Sequence, residues 1–260
     1  MKEDSATRTA QQYAAILKDT VGLSSLPVCV TFHDAIGAPG HSSNDYRLCQ
    51  AVMEARKGKR VLLHRDNISC PAAAAALGLK SLPPQLQDGT MLCGYGIFRT
   101  KEASIRVMET MPRLALGQYA AVEVKPLEEC QDIPHVVVLE DEVEKLMWIA
   151  LAYLNEAGGR LDFSTSILQA ACVDSVVLPF LSGKINMSFG CYGCRDATDA
   201  ASGEALLGFP GQKLGMVTEN LTFLKSQAID RSRAKNVYRA FAQRTATAAP
   251  QPHAQEGDST

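Results

Sequence analysis

The chain has 260 residues, 46% of them hydrophobic, enough to bury a core without covalent staples. Its 26 basic and 28 acidic side chains leave a formal net charge of -2 with no block of one sign, which argues against a nucleic-acid footprint or a polybasic membrane patch. The opening Met1-Lys2-Glu3-Asp4-Ser5 lacks the apolar run of a signal peptide, and no stretch approaches the ~20 apolar residues a bilayer demands. The expectation is a cytoplasmic protein with no membrane or nucleic-acid partner.

In chain order, the spacing predicts a lead-in helix over Arg8 to Lys18, a strand over Val28 to Phe32, and a loop rich in Gly, Pro, Ser and Asn from Gly37 to Asp45. Leu48, Ala51, Val52 and Ala55 then recur at helical spacing, ended by Lys57-Gly58-Lys59, and Val61-Leu62-Leu63 makes a short buried strand. Pro71 suits the first position of a helix running to Leu77, which places Cys70 at its cap. A helix over Glu102 to Met111 and strands over Ala120 to Val124 and Val136 to Leu139 follow. Val143, Leu146, Met147, Ala150, Leu151 and Leu154 form the apolar stripe of a helix stopped by Gly158-Gly159. Trp148, on that helix, is expected in the core or at an interface. Beyond it lie Arg160 to Phe163, an apolar segment from Ile167 to Leu181 containing Cys172, and a strand over Lys184 to Phe189 that enters a turn at Gly190 to Cys194. Helices near Val217 to Lys225 and Arg231 to Arg244, the second capped by Asp230, precede a tail from Thr245 whose composition suits disorder.

This order implies an α/β protein, with mixed or parallel sheets flanked by helices and one domain over 1–244. Strand, helix, Gly-Lys-Arg or Gly-Gly-Arg, short strand, polar turn and cysteine occur twice, around Val28 to Leu79 and Val136 to Leu181. The two passages raise the expectation of two similar βαβ-type halves (about 26–115 and 120–215) in which Cys70 corresponds to Cys172. Chance similarity between βαβ units is the plain alternative.

Eight cysteines in a reducing compartment argue against a disulfide framework and for thiols that are free, catalytic or ligating. Cys29, in a strand-like run, reads as a buried small hydrophobe, and Cys93 and Cys130 suggest no role. Cys191-Tyr192-Gly193-Cys194 is a C-x-x-C pair, able to share one metal or to close one disulfide, with glycines that let backbone N–H groups approach sulfur. It lacks the second C-x-x-C of a structural zinc site and the setting of a thioredoxin-like motif. What remains is a centre assembled from distant stretches: Cys70, Cys172, Cys191 and Cys194 as metal or iron–sulfur ligands, and Cys49 joining them or merely packing. Arg47, Arg65 and Arg195 lie beside these cysteines in sequence and can lower a thiolate pKa or hold an anionic ligand. His33, His41, His64 and His135 have no ligand spacing to a cysteine and are expected to be structural or exposed. No G-x-G-x-x-G, Walker loop, G-x-S-x-G or H-E-x-x-H motif occurs.

Arg47-Leu48-Cys49-Gln50-Ala51, Asn67-Ile68-Ser69-Cys70-Pro71-Ala72-Ala73, Gly183-Lys184-Ile185-Asn186, Gly190-Cys191-Tyr192-Gly193-Cys194-Arg195 and Gly208-Phe209-Pro210 together resemble the domain of unknown function 169 family, from about Ala14 to Tyr238. The resemblance implies an α/β cytoplasmic protein of a prokaryotic group well represented in archaea and anaerobes, with no settled activity. It puts most weight on Cys49, Cys70 and Cys191, and less on Cys194. The leading expectation is an iron–sulfur or metal-binding accessory or redox component of an anaerobic-type pathway, working with a small molecule or a redox partner protein. The alternatives are a metal-free thiol enzyme with Cys70 as nucleophile and Cys191/Cys194 as resolving pair, and an anion-binding module with structural cysteines.

Overall fold

The computed structural model describes residues 8–36 and 45–235, so the loop from Gly37 up to Asp45 with His41, the closing helix beyond 235 and the tail from Thr245 lie outside the described residues. Six strands, β1 (Val28–His33), β2 (Val61–His64), β3 (Ala121–Pro126), β4 (Val136–Glu142), β5 (Asn186–Ser188) and β6 (Glu204–Pro210), form one sheet in the order β2-β3-β1-β4-β6-β5. The helices are α1 (Ala10–Val21), α2 (Leu48–Ala55), α3 (Pro71–Ala76), α4 (Pro84–Gln87), α5 (Thr90–Gly94), α6 (Lys101–Glu109), α7 (Val143–Leu154), α8 (Leu178–Ser182), α9 (Tyr192–Ala197), α10 (Leu214–Leu224) and α11 (Asp230–Arg233), with a π-helix over Ala170–Val177 leading into α8.

The α/β class holds, but every pair of neighbouring strands is antiparallel, against the expected mixed or parallel sheet. The reason is insertion. β1 and β2 run the same way, joined through α2, but β3 lies between them and opposes both; β6 does the same between β4 and β5. Read outward from the central β1–β4 pair, both sides therefore show their first, third and second strands. That is a repeat of strand order only, and it alters the correspondence read from the sequence. In that order β5 takes the place of β2, while Arg160 to Phe163 forms no strand, so the strand order does not support the pairing of Cys70 with Cys172; it places Cys70 after β2 and Cys191 after β5.

Strand alternation sends side chains to two covered faces. Val28, Val30, Val122, Val124, Val136 and Val138 pack under α2, α3, α6 and the π-helix. Cys29, Val137, Leu139, Leu207 and Phe209 pack under α1, α7 and α10. On α7 the structure inverts part of the expected stripe: Leu146, Trp148, Ile149 and Ala152 are buried, whereas Val143, Met147 and Leu151 are exposed. The helix is apolar nearly all round, so periodicity alone does not choose its face. Polar contacts help to fix it, since Trp148 Nε1 donates to Glu144 at 2.6 Å and Asn220 Nδ2 donates to the Ala152 carbonyl at 3.1 Å. Asp230 does not cap a new helix, because α10 runs through a π-turn over Lys225–Ile229 straight into α11; its carboxylate pairs with Lys225 at 2.8 Å. Cys29 is buried as expected but not free, being joined in a disulfide to Cys130, 101 residues away, a separation that leaves no local spacing to read.

Beyond the end of α2, the buried Arg56 pairs with Glu140 of β4 (3.5 Å), Glu204 of β6 (3.6 Å) and Asp199. Burial pushes the Glu140 carboxyl up to about 6 from 4.5; Arg56 opposes the shift, and Glu204 and Asp199 reinforce it. Between those two values the unfolded chain releases the proton that the fold retains, so this residue costs stability as pH rises from about 4.5 to about 6. Glu140→Gln is therefore expected to gain in melting temperature relative to the parent as pH rises through that window. A difference that stays constant from pH 4 to pH 7 in thermal unfolding would refute the assignment.

Candidate metal centre

After β5 the chain turns at Gly190, whose φ of +89 is one a side chain rarely adopts, and Cys191 then caps α9 in extended conformation. The C-x-x-C pair thus opens a helix after a strand rather than lying in a plain turn. Its first turn brings the two sulfurs to one side, 3.0 Å apart, and the Cys194 N–H donates to Cys191 Sγ at 3.3 Å. Arg195 points to no sulfur. Its guanidinium donates to the carbonyls of Phe189, Ala201 and Glu204 and braces the Gly190 turn, so its expected ligand-binding role is replaced by a structural one.

The π-helix supplies the facing wall. Ile167 and Gln169 both have positive φ (59° and 57°), an uncommon conformation for side-chain-bearing residues and a genuine outlier for a β-branched one. The turn is held by Ser166 Oγ, which bonds the Leu168 carbonyl (2.9 Å) and Gln169 Oε1 (3.2 Å). It aims the first two helical N–H groups, of Ala170 and Ala171, at the sulfurs of Cys191 and Cys194 respectively. Donors that a helix leaves unpaired at its start thereby find sulfur acceptors. The π-helix can lie this low because β6 carries Gly208, where a Cβ would sit 1.9 Å from the Ser175 carbonyl oxygen.

The remaining sulfurs come from the first half of the chain. A parallel bridge between Tyr46 and Ile68, with Tyr46 N–H to Asn67 O at 3.1 Å and Ser69 N–H to Tyr46 O at 3.0 Å, ties the starts of α2 and α3 together. Cys70 caps α3 with Pro71 as the first helical residue, as the sequence implied. Cys49 lies in the first turn of α2 and makes a thiol contact with Cys194. Arg47 Nη1 donates to the Gly193 carbonyl at 3.2 Å and Gln50 Nε2 to the Ala197 carbonyl at 3.3 Å, fastening α2 to α9.

Cys49, Cys70, Cys172, Cys191 and Cys194 all line one cavity of about 440 Å³. Arg47 lines it as well; among the described residues Arg65 and Arg195 do not, and no histidine does. His33 instead pairs with Glu123 at 3.5 Å, and His135 Nδ1 accepts the Phe32 N–H at 3.2 Å. Burial, then the neighbouring sulfurs of Cys70, Cys194 and Cys191, push the Cys172 thiol well up. Cys191 is raised by its hydrogen bond to Cys194 and by burial. For Cys194 the Cys191 contact pulls downward, but the Cys49 contact and burial carry it up to about 12. Without a cation these three are thiols at neutral pH. Among the described residues no three Cys, His, Asp or Glu side chains already stand at metal-holding positions, so ligation requires the sulfurs to rotate inward. The sequence did not single out Gln169, whose left-handed backbone has no residue-type signal, nor an apolar wall of the cavity contributed by Leu86, Met91, Leu92, Ile97 and Met108.

A family model described as DUF169, uncharacterised ArCR, matches residues 16–220. An uncharacterized protein of Methanocaldococcus jannaschii is 29% identical over 175 residues, 66% of this chain and 75% of the relative. No solved structure gives a significant match. Among the described residues no helix is long and apolar enough to cross a membrane.

Proposed function

The chain belongs to the DUF169 family, and for this member we propose a thiolate-held metal centre, an iron–sulfur cluster by first choice, serving a cytoplasmic accessory or redox role in an anaerobic-type pathway. The observation that carries the reading is the convergence of five cysteines from four separated stretches on one cavity. Cys70, Cys172, Cys191 and Cys194 are the ligands of choice, with Cys49 beside them. The donor chemistry fits the group. Cluster irons take cysteine thiolates, usually four, and N–H donors to sulfur tune their potential; Ala170, Ala171 and Cys194 supply such donors here. A bound cation also deprotonates coordinating thiols outright, overcoming the raised thiol pKa values.

The test is purification without oxygen, followed by visible absorption and by iron, zinc and acid-labile sulfide analysis. A coloured protein with iron and sulfide is expected; a folded, colourless, metal-free preparation overturns the reading. The 3.0 Å contact between Cys191 and Cys194 favours one rival, a metal-free dithiol that cycles to a disulfide. Both thiols are raised rather than lowered, the opposite of what an attacking thiolate needs. In a metal-free preparation, a readily formed Cys191–Cys194 disulfide of physiological potential would support the dithiol.

A further inference from the structure

We propose that the same cavity also binds an organic monocarboxylate with an apolar body, seated between the sulfurs and the opposite wall with its carboxylate on Arg47. The proposal rests on the metal reading for what occupies the sulfur side, and it concerns the space that thiol ligation leaves unexplained.

A metal centre needs only the wall that carries the sulfurs. Much of the remaining lining comes from a different part of the chain, Leu86 of α4, Met91 and Leu92 of α5, Ile97, and Met108 of α6, all apolar, with Tyr95 beside them. It is also firmly built. Gly89 has φ +75, and a Cβ there would stand 2.5 Å from the Lys101 carbonyl oxygen, so the turn between α4 and α5 packs directly on α6. Asp88 holds the same turn, accepting the Thr90 N–H at 2.9 Å. A cavity of about 440 Å³ falls in the range that encloses small organic molecules, which bind on apolar walls with a few polar anchors.

Arg47 is the anchor. The residue lines the cavity, and its guanidinium gives one N–H to the Gly193 carbonyl and has no carboxylate partner among the described residues. A half-buried arginine with donors in reserve beside apolar walls is suited to fork-like recognition of a carboxylate. The exposed Asp196, also on the lining, disfavours a second negative charge, which narrows the ligand to a monoanion.

The experiment titrates the full chain, isolated without oxygen, with hexanoate and with its neutral counterpart hexanamide by calorimetry, and measures iron and sulfide on the same samples. Hexanoate is expected to bind about tenfold or more tighter than hexanamide, and Arg47→Gln to abolish that preference. Met91→Trp, which fills the cavity, should weaken both ligands while iron content stays at the parent level. Should Arg47→Gln fail to fold, Met91→Glu replaces it, because a carboxylate on the wall must weaken hexanoate more than hexanamide. Equal binding of the two ligands, or none, to protein that carries iron overturns the ligand proposal alone. An Arg47-dependent preference for hexanoate in protein that takes up no metal overturns the metal reading and leaves the ligand site standing.

Discussion

Cys191→Ala is expected to strip the protein of most of its iron and acid-labile sulfide, and Cys70→Ala to do the same. The two residues lie 121 positions apart and cap helices on opposite halves of the sheet, yet they line one cavity. Ligands of one centre act as a unit, so the double substitution should add little to either single one. Cys191 is the more demanding position, because its sulfur also takes the N–H groups of Ala170 and Cys194. Cys93→Ala is the control: that cysteine lies on α5 but does not line the cavity, and iron should stay at the parent level. Parent-level iron in Cys191→Ala would remove Cys191 from the ligand set.

Gly208→Ala should be strongly destabilising. The added carbon would meet the Ser175 carbonyl oxygen at 1.9 Å and the Ser175 Cα at 2.9 Å, all backbone, so nothing flexible can yield. Either β6 or the π-helix must move, at a cost of about 3 kcal/mol. Movement of the π-helix would also withdraw the Ala170 and Ala171 donors from the sulfurs, so the variant should lose metal under conditions where it is still folded. Denaturant midpoints compared with Gly203→Ala, where a Cβ meets nothing within 4 Å, provide the check. A loss no greater than that of Gly203→Ala would contradict the close approach.

Where the determinants are local, the sequence was readable. β1, α2 and β2 follow from β-branched runs and from Leu48, Ala51, Val52 and Ala55, all four of which are buried, and Pro71 located the start of α3 beside Cys70. β6 escaped notice because Gly208 and Pro210, both poor strand residues, punctuate its short apolar run. Its meaning lies in Ser175, 33 residues earlier, which no local pattern encodes. The antiparallel sheet was hidden for a similar reason: a strand–helix–strand order does not reveal that a third strand will enter between the first two. In the site, residue chemistry singled out sulfurs that the fold brings to one cavity, but proximity in sequence misled for Arg195, whose neighbours in space are carbonyls. The apolar wall was illegible because, apart from Ile97 in the connection before α6, its residues belong to three short helices, of which only α6 had a readable period.

The distribution of the sulfurs along the chain has a consequence for biosynthesis. A ribosome delivers Cys49 and Cys70 first, Cys172 about a hundred residues later, and Cys191 and Cys194 about twenty residues after that. Even then the second group is unsupported, since β5 is an edge strand whose partner is β6, the next strand to emerge. Until Cys172 emerges, a growing chain therefore presents only two of the five cavity thiols, Cys49 and Cys70, too few to retain a cluster in competition with cellular thiols. Loading would then be confined to chains that have been synthesised through β6 and folded, so that products stalled or truncated before β6 are left without metal.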